Sequence, residues 1–387
     1  MTPPSFSGAG AQDAREIPVA RRIGARDAVR AALAGVRPLV SQAHEGLTLL
    51  ILEPRALERR PGGETGIDRR WLTFAEAAQR GVVRVQEAPT ASVPSVIAEA
   101  DGVDVLLLDG DTIVGGLQNR IVNVSIWLKA GVPTHIPVSC LEQGRWRDGH
   151  DTGTGRSGGR DFSAGQRADP SLRAMVGAAV NAGVGMDRGP VTADRHGRGG
   201  AGGRSSPDAF AADQHGVWLE IEARQQRARV RSTTSALHDL WAAEGGDRGA
   251  ASRAFALPSG ATGVAVGLFD RVVAVDLFDD PLVLAAEWPR LVDGAVAAWL
   301  DRRRAIASRA VGPPVRRHPD PGALGRLLRR AGDALDDAVV VSSVGAGLDV
   351  RIDGPRVHGA ALVVDDRPVH VALFRREAEP VDTAGLR

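Results

Sequence analysis

The sequence predicts an α+β fold: a mostly antiparallel β-sheet with helices packed on one face, and a mobile Gly/Arg-rich insertion. Three observations predict it. Short apolar runs separated by tight turns crowd the first 145 or so residues, and two more such pairs come late, at 264–278 and 361–374. Apolar residues at helical spacing fill much of what lies after residue 209. At 387 residues and 43% hydrophobic content the chain can bury a large core. The same pattern divides it into an N-terminal tail and helix (1–40), a β-rich module (41–147), the insertion (148–208) and an α/β C-terminal part packed on the module (209–387).

Residues 1–15 are small, polar and Pro/Gly-rich and read as a loose tail. Val29, Leu33, Val36 and Leu39 lie near helical spacing, which predicts a helix over 27–39, and Leu47 to Leu52 form an apolar run of strand length. Thr73 and Glu76 make a capping box, with Gly81 as the terminator of a short helix and a strand following at 82–87. Strands are expected at 105–108, 121–128 and 135–140, linked by turns at Asp109-Gly110-Asp111 and at Ala130-Gly131. Residues 144–208 are rich in Gly, Arg, Asp and Ser, so 149–160 and 187–206 are expected to be mobile, with a helical exception at 170–184. Helices are then expected at 218–230, 235–241, 282–306 and 323–331. The last two follow Asp280-Pro281 and Asp320-Pro321, and Pro289 is expected to bend or split the longer one.

Composition narrows function. Lys and Arg number 48 against 47 Asp and Glu, so nothing here supports nonspecific nucleic-acid binding. Lys129 is the only lysine, and this bias toward arginine weakens any reading of one arginine as a chosen phosphate ligand. Cys140 is the only cysteine, which excludes an intramolecular disulfide and fits a cytoplasmic setting. The N-terminus lacks a secretory pattern and no apolar run approaches the ~20 residues of a membrane span, so no membrane role is expected.

Two stretches, 153–158 and 197–202, match the letters of a dinucleotide fingerprint, but neither follows a strand nor opens a helix. P-loop, zincin and zinc-cluster patterns do not occur. Asp109 and Asp111 flank a glycine, so they read either as solvated turn acids or as paired carboxylates for acid/base work or a divalent ion. Gln118, Asn119 and Arg120 follow Gly115 and Gly116. The amides and guanidinium suit a carboxylate, phosphate or ribose, and equally a polar network closing a sheet, while the glycines admit a ligand or another backbone. Cys140 lacks a well-placed base and reads as a small buried apolar residue. His238 beside Asp239 reads as a surface or packing histidine, with a role in a distant site as the other possibility.

The strings Leu108-Asp-Gly-Asp111, Gly115-Gly-Leu-Gln-Asn-Arg120, Ile136-Pro-Val-Ser-Cys140, Glu142-Gln-Gly-Arg-Trp146, Ser235-Ala-Leu-His-Asp239 and Val275-Asp-Leu-Phe278 carry a resemblance. They are similar to those of the ARG and Rhodanese-Phosphatase-superfamily-associated Protein domain family, from about residue 46 to 300, with Val357-His-Gly-Ala-Ala361 and Leu373-Phe374 also family-like. The resemblance implies a context of nucleotide or ADP-ribose metabolism, without a settled reaction, cofactor or metal. Two expectations follow. In one, Asp109, Asp111 and Glu142 supply acid/base or metal-binding oxygens. Gly115, Gly116, Gln118, Asn119, Arg120, Ser139, Cys140, Arg145, Trp146 and His238 then line a site for a phosphorylated nucleoside or ADP-ribose-like ligand. In the other, these residues form a structural network in a noncatalytic regulatory or partner-binding protein.

Overall fold

The computed structural model describes residues 17–54, 69–87, 94–116, 118–143, 162–186, 207–308 and 318–376. The expected mobility of 1–15, 149–160 and 187–206, and the positions of Arg145 and Trp146, lie outside the described residues.

The fold is α+β and mostly antiparallel, as the sequence predicts. Its largest element is an eight-stranded antiparallel sheet. The strand order is β1 (Val36–His44), β2 (Leu47–Pro54), β12 (Gly263–Leu268), β13 (Arg271–Phe278), β17 (Arg367–Arg375), β16 (Val357–Val364), β15 (Leu348–Gly354) and β14 (Val339–Ser342). A six-stranded sheet runs β11 (Phe162–Arg167), β7 (Asp111–Gly115), β8 (Arg120–Val122), β10 (Thr134–Cys140), β5 (Ser95–Ala100) and β4 (Val83–Glu87). A small sheet pairs β6 (Asp104–Leu107) with β3 (Trp71–Thr73) in parallel and with β9 (Ile126–Leu128) antiparallel. β1 and β2 thus join the C-terminal strands through β2–β12 pairing.

Alternation along the strands sorts side chains to two cores. Val350, Ile352, Val371 and Leu373 pack with Val29 and Leu33 of α1 (Val19–Ala34) and with Leu324 and Leu327 of α7 (Ala323–Ala334). Ile51, Val266, Ala372 and Phe374 point the other way, toward Val292, Val296 and Trp299 of α6 (Pro281–Ala307). α3 (Pro170–Met186) also packs against β16 on that side. The helices therefore cover both faces of this sheet, and the expected one-face arrangement is corrected.

Other elements depart from the sequence reading for local reasons. The helix expected over 27–39 ends at Ala34, where Gly35 closes its last turn, and β-branched Val36 and Val40 belong to an edge strand with no fully buried position. The expected strand 121–128 breaks at Asn123–Ser125. β8 enters the six-stranded sheet and β9 the small one, so side-chain parity cannot be carried across residues 120–128. Within the expected insertion, β11 and α3 are ordered. β11 was missed because Phe-Ser-Ala-Gly-Gln-Arg has the composition of coil, and pairing with β7 overrides that. Pro289 sits inside an unbroken α6, whose start carries the expected Asp280 cap and Pro281. The Thr73/Glu76 capping box is present in α2 (Phe74–Gln79).

Candidate functional site

The two readings for the 109–142 segment separate in space. Arg120, fully buried on β8, donates to both carboxylate oxygens of Glu87 on β4 at 3.0 and 2.9 Å, and its other terminal nitrogen lies 3.7 Å from Cys140 Sγ. Asn119 donates its backbone N–H to Glu142 Oε1 at 2.5 Å and accepts the N–H of Gly115 at 3.1 Å. Gln118 donates to the Glu142 carbonyl at 3.2 Å, and Ser139 donates to Asn123 at 2.9 Å. The space left by Gly116, at φ +61°, is taken by the ring of Phe162, which a Cβ there would strike. Of the two visitors the glycines admit, this is the chain itself. Cys140 is buried, its thiol pushed up to about 11 by burial, which keeps it protonated and unreactive near neutrality. His238 is exposed at the start of α5 (Leu237–Ser252).

Asp109 and Asp111 belong to a second group, a charged layer between the six-stranded sheet and the eight-stranded one. Asp109 sits in the turn before β7, and Arg173 reaches it from the first turn of α3. That helix is fixed by Asp169, which accepts the N–H groups of Ser171 and Leu172 at 2.9 and 3.2 Å ahead of Pro170 at the first helical position. Arg173 spans two carboxylates: Nε to Asp109 Oδ2 at 3.1 Å, and its terminal nitrogens to Asp276 on β13 at 2.9 and 2.6 Å. The turn residue between the acids must be glycine, because Gly110 has φ +86° and a Cβ would lie 2.6 Å from the Arg173 stem. Arg167 on β11 adds contacts to Asp276 at 3.3 Å and to Asp111 at 3.6 Å. Asp111 in turn pairs with Arg290 of α6 at 2.8 Å, and Arg290 also pairs with Glu287 at 2.7 Å.

His370 on β17 completes the layer. Its Nε2 lies 3.1 Å from Asp276 Oδ1, its Nδ1 lies 2.8 Å from Ser125 Oγ, and the ring stacks on Phe278 with centroids 4.9 Å apart. Ser125 comes from the break between β8 and β9 and also accepts the N–H of Asp109 at 3.0 Å. Burial alone would raise the Asp109 and Asp276 carboxyls, but Arg173 foremost, with Arg167 and His370, holds both below the ordinary range, Asp276 well below it. Burial raises Glu287 against the pull of Arg290. Among the described residues, Asp109, Asp276 and His370 form a metal-type donor group with atoms within 4.8 Å. Arg173 already occupies the oxygens of both acids, so the group is satisfied without a cation.

Beside this layer lies a cavity lined by Asp109, Asn123, Ser125, Asp349, Arg351 and Phe374, among others. Asp349 and Arg351, both buried on β15, pair at 2.6 Å, yet Asp349 Oδ1 and Arg351 Nε are without a hydrogen-bond partner. Burial raises the Asp349 carboxyl in spite of Arg351. The cavity has room for a single small group of about the size of a water molecule.

Of the expected catalytic acids, then, Asp109 borders the cavity, Asp111 lies in the same layer toward α6, and Glu142 belongs to the other network. Sequence reasoning missed Ser125, Arg167, Arg173, Asp276, Glu287, Arg290, Asp349, Arg351 and His370. A usable signal was present in Asp276 and His370, each a polar residue inside an apolar strand run on a core-facing position. Among the described residues, no helix is long and apolar enough to cross a membrane. No curated protein and no solved structure matches the chain. A family model does match, over residues 36–374, and by that match the chain belongs to the ARG and Rhodanese-Phosphatase-superfamily-associated Protein domain family.

Proposed function

We propose that the protein binds a polyhydroxylated ligand of the nucleoside or ADP-ribose class at the cavity beside Asp109, Ser125, Asp349 and Arg351. The observation that carries this reading is the pair of unpartnered buried atoms there. An acceptor, Asp349 Oδ1, and a donor, Arg351 Nε, belong to two residues of one cavity wall. A hydroxyl both donates and accepts, so it is the simplest group to satisfy such a pair, and leaving buried polar atoms unmade carries a penalty of about 1–3 kcal/mol each. A pocket enclosing a whole drug-sized ligand has a volume of roughly 300–1,000 Å³. This one therefore takes one hydroxyl-sized group and leaves the rest of the ligand outside.

A thermal-shift series with ADP-ribose, nucleoside diphosphates and ribose 5-phosphate tests the reading. A ligand that binds only the folded chain raises its melting temperature, and the rise is expected to vanish in Asp349→Ala. No shift with any of the three at millimolar concentration ends the nucleoside reading.

A noncatalytic role remains the second reading for the 118–142 motif, favoured by the Arg120–Glu87 and Asn119–Glu142 contacts. On this reading the polar motif stabilises the six-stranded sheet and takes no part in ligand binding.

A further inference from the structure

We propose that Ser125 is a nucleophile, activated by His370 and oriented through Asp276, that accepts the acyl group of a small carboxylic ester. The proposal deepens the reading above, since it rests on the same cavity. Three elements deliver the three side chains: the break before β9, the core strand β17 and its neighbour β13. The distances, 2.8 Å from Ser125 Oγ to His370 Nδ1 and 3.1 Å from His370 Nε2 to Asp276 Oδ1, are those of a nucleophile, base and orienting acid. The direction of the chain is fixed chemically. Arg173 and Arg167 hold Asp276 as a carboxylate, which can only accept, so Nε2 carries a proton, and in the neutral ring Nδ1 presents its lone pair to the serine. The two ring nitrogens thus exchange the roles they hold in the chymotrypsin arrangement. Asp109 Oδ1, at 3.3 Å from the hydroxyl, is the longer of the two contacts open to that proton.

A buried network built only for satisfaction needs no void beside its hydroxyl, and Ser125 borders one. Arg351, on the same cavity with Nε–H unpartnered, is the donor available to a carbonyl oxygen gaining negative charge. In the reaction, Ser125 Oγ bonds to the ester carbonyl carbon as its proton passes to His370 Nδ1. The bond from that carbon to the alkoxy oxygen then breaks, and the alcohol leaves with the proton from His370. Water, deprotonated by His370, adds to the acyl carbon, the bond to Oγ breaks, and the serine recovers its proton as the carboxylic acid departs. No oxidant or further reactant is required. The limited room, about that of one small group, selects the smallest acyl groups, formyl before acetyl, with the alcohol portion outside.

The test uses the full chain and a fluorophosphonate probe, which phosphonylates an activated serine with loss of fluoride, followed by mass spectrometry of the labelled peptide. Label is expected on Ser125 at a rate well above that of the urea-unfolded chain, falling about a hundredfold or more in His370→Gln if that variant folds. The comparison of native with unfolded wild type stands even if the variant does not fold. Three results overturn the assignment: label absent from Ser125, native labelling no faster than unfolded, or folded His370→Gln labelled at the wild-type rate. The outcomes separate from those of the ligand screen. Labelled Ser125 without nucleotide binding removes only the nucleoside reading, and nucleotide binding with unlabelled Ser125 removes only the nucleophile.

Discussion

The eight-stranded sheet turns one face to α1 and α7 and the other to α3, α6 and the smaller sheets, and the two faces are made of different matter. Along β15 the difference appears residue by residue: Leu348, Val350 and Ile352 enter the apolar core under α7, while Asp349 and Arg351 project to the opposite side. On β17, Val371 and Leu373 contrast with His370 in the same way. The first face is held by buried area, which is additive and tolerant of shape-conserving change. The second has its own apolar cluster under α6 and adds beside it a layer held by mutual satisfaction of charges, where removing one member strands the others. A protein that needs only stability gains little from the second kind, so its presence marks the side on which function is sought.

The largest expected effect tests that contrast directly. Asp276→Ala leaves Arg173 and Arg167 facing each other without their shared anion and should destabilise the chain by about 4 kcal/mol in a denaturant melt. A loss below about 1 kcal/mol would show that the layer is not electrostatically closed. On the dry face Leu373→Ala should cost about 3 kcal/mol as a cavity effect, equally at pH 5 and pH 7.

Acid should distinguish the faces next. Burial lowers His358, on β16, to about 4, with Arg376 adding to the shift. The unfolded chain therefore takes up a proton near pH 6.5 that the folded chain refuses until about pH 4. Its contribution is complete above pH 6.5 and disappears as pH falls toward 4, a change on the order of 3 kcal/mol. The Asp109 and Asp276 contributions are lost later, as pH falls below the ordinary Asp range. In melts taken from pH 7 to 4, His358→Asn should flatten the upper part of the profile, and an unchanged profile would refute the assignment.

Arg120→Ala should cost about 2 kcal/mol, because the bidentate partner Glu87 is left behind at the sheet edge, while ligand affinity in the screen stays within threefold. Lost binding in a stable variant would return Arg120 to the ligand site. The smallest effect belongs to Cys140→Ser, expected within about 1 kcal/mol of wild type, with native Cys140 slow toward a thiol reagent.

How far the sequence could be read depended on whether a residue's partner was local. The Thr73 capping box, the Asp280-Pro281 helix start and the β12–β13 and β16–β17 hairpins are set by neighbours a few positions away, and all are present. Asp109 was legible as a charged turn residue. Its partners were not, because Arg173 and His370 come from 64 or more positions further along and no local pattern says which residues meet it. For the same reason nothing near Arg120 in the chain names its anion, which is Glu87, three strands away across the sheet. The break at Asn123–Ser125 was hidden inside an apolar run that periodicity alone reads as continuous.

The order of strands in the large sheet sets a timetable for its making. β2 lies beside β12, roughly 200 residues later, so during synthesis at about 5–20 residues per second the first hairpin waits roughly 10–40 s for its neighbour. β17 then enters the middle of the sheet, between β13 and β16, both made before it. Until it arrives the sheet is two separate halves with open edges, and the histidine it carries is missing from the charged layer. The histidine's place in the charged layer is therefore filled only after Arg173, Arg167 and Asp276 have been made.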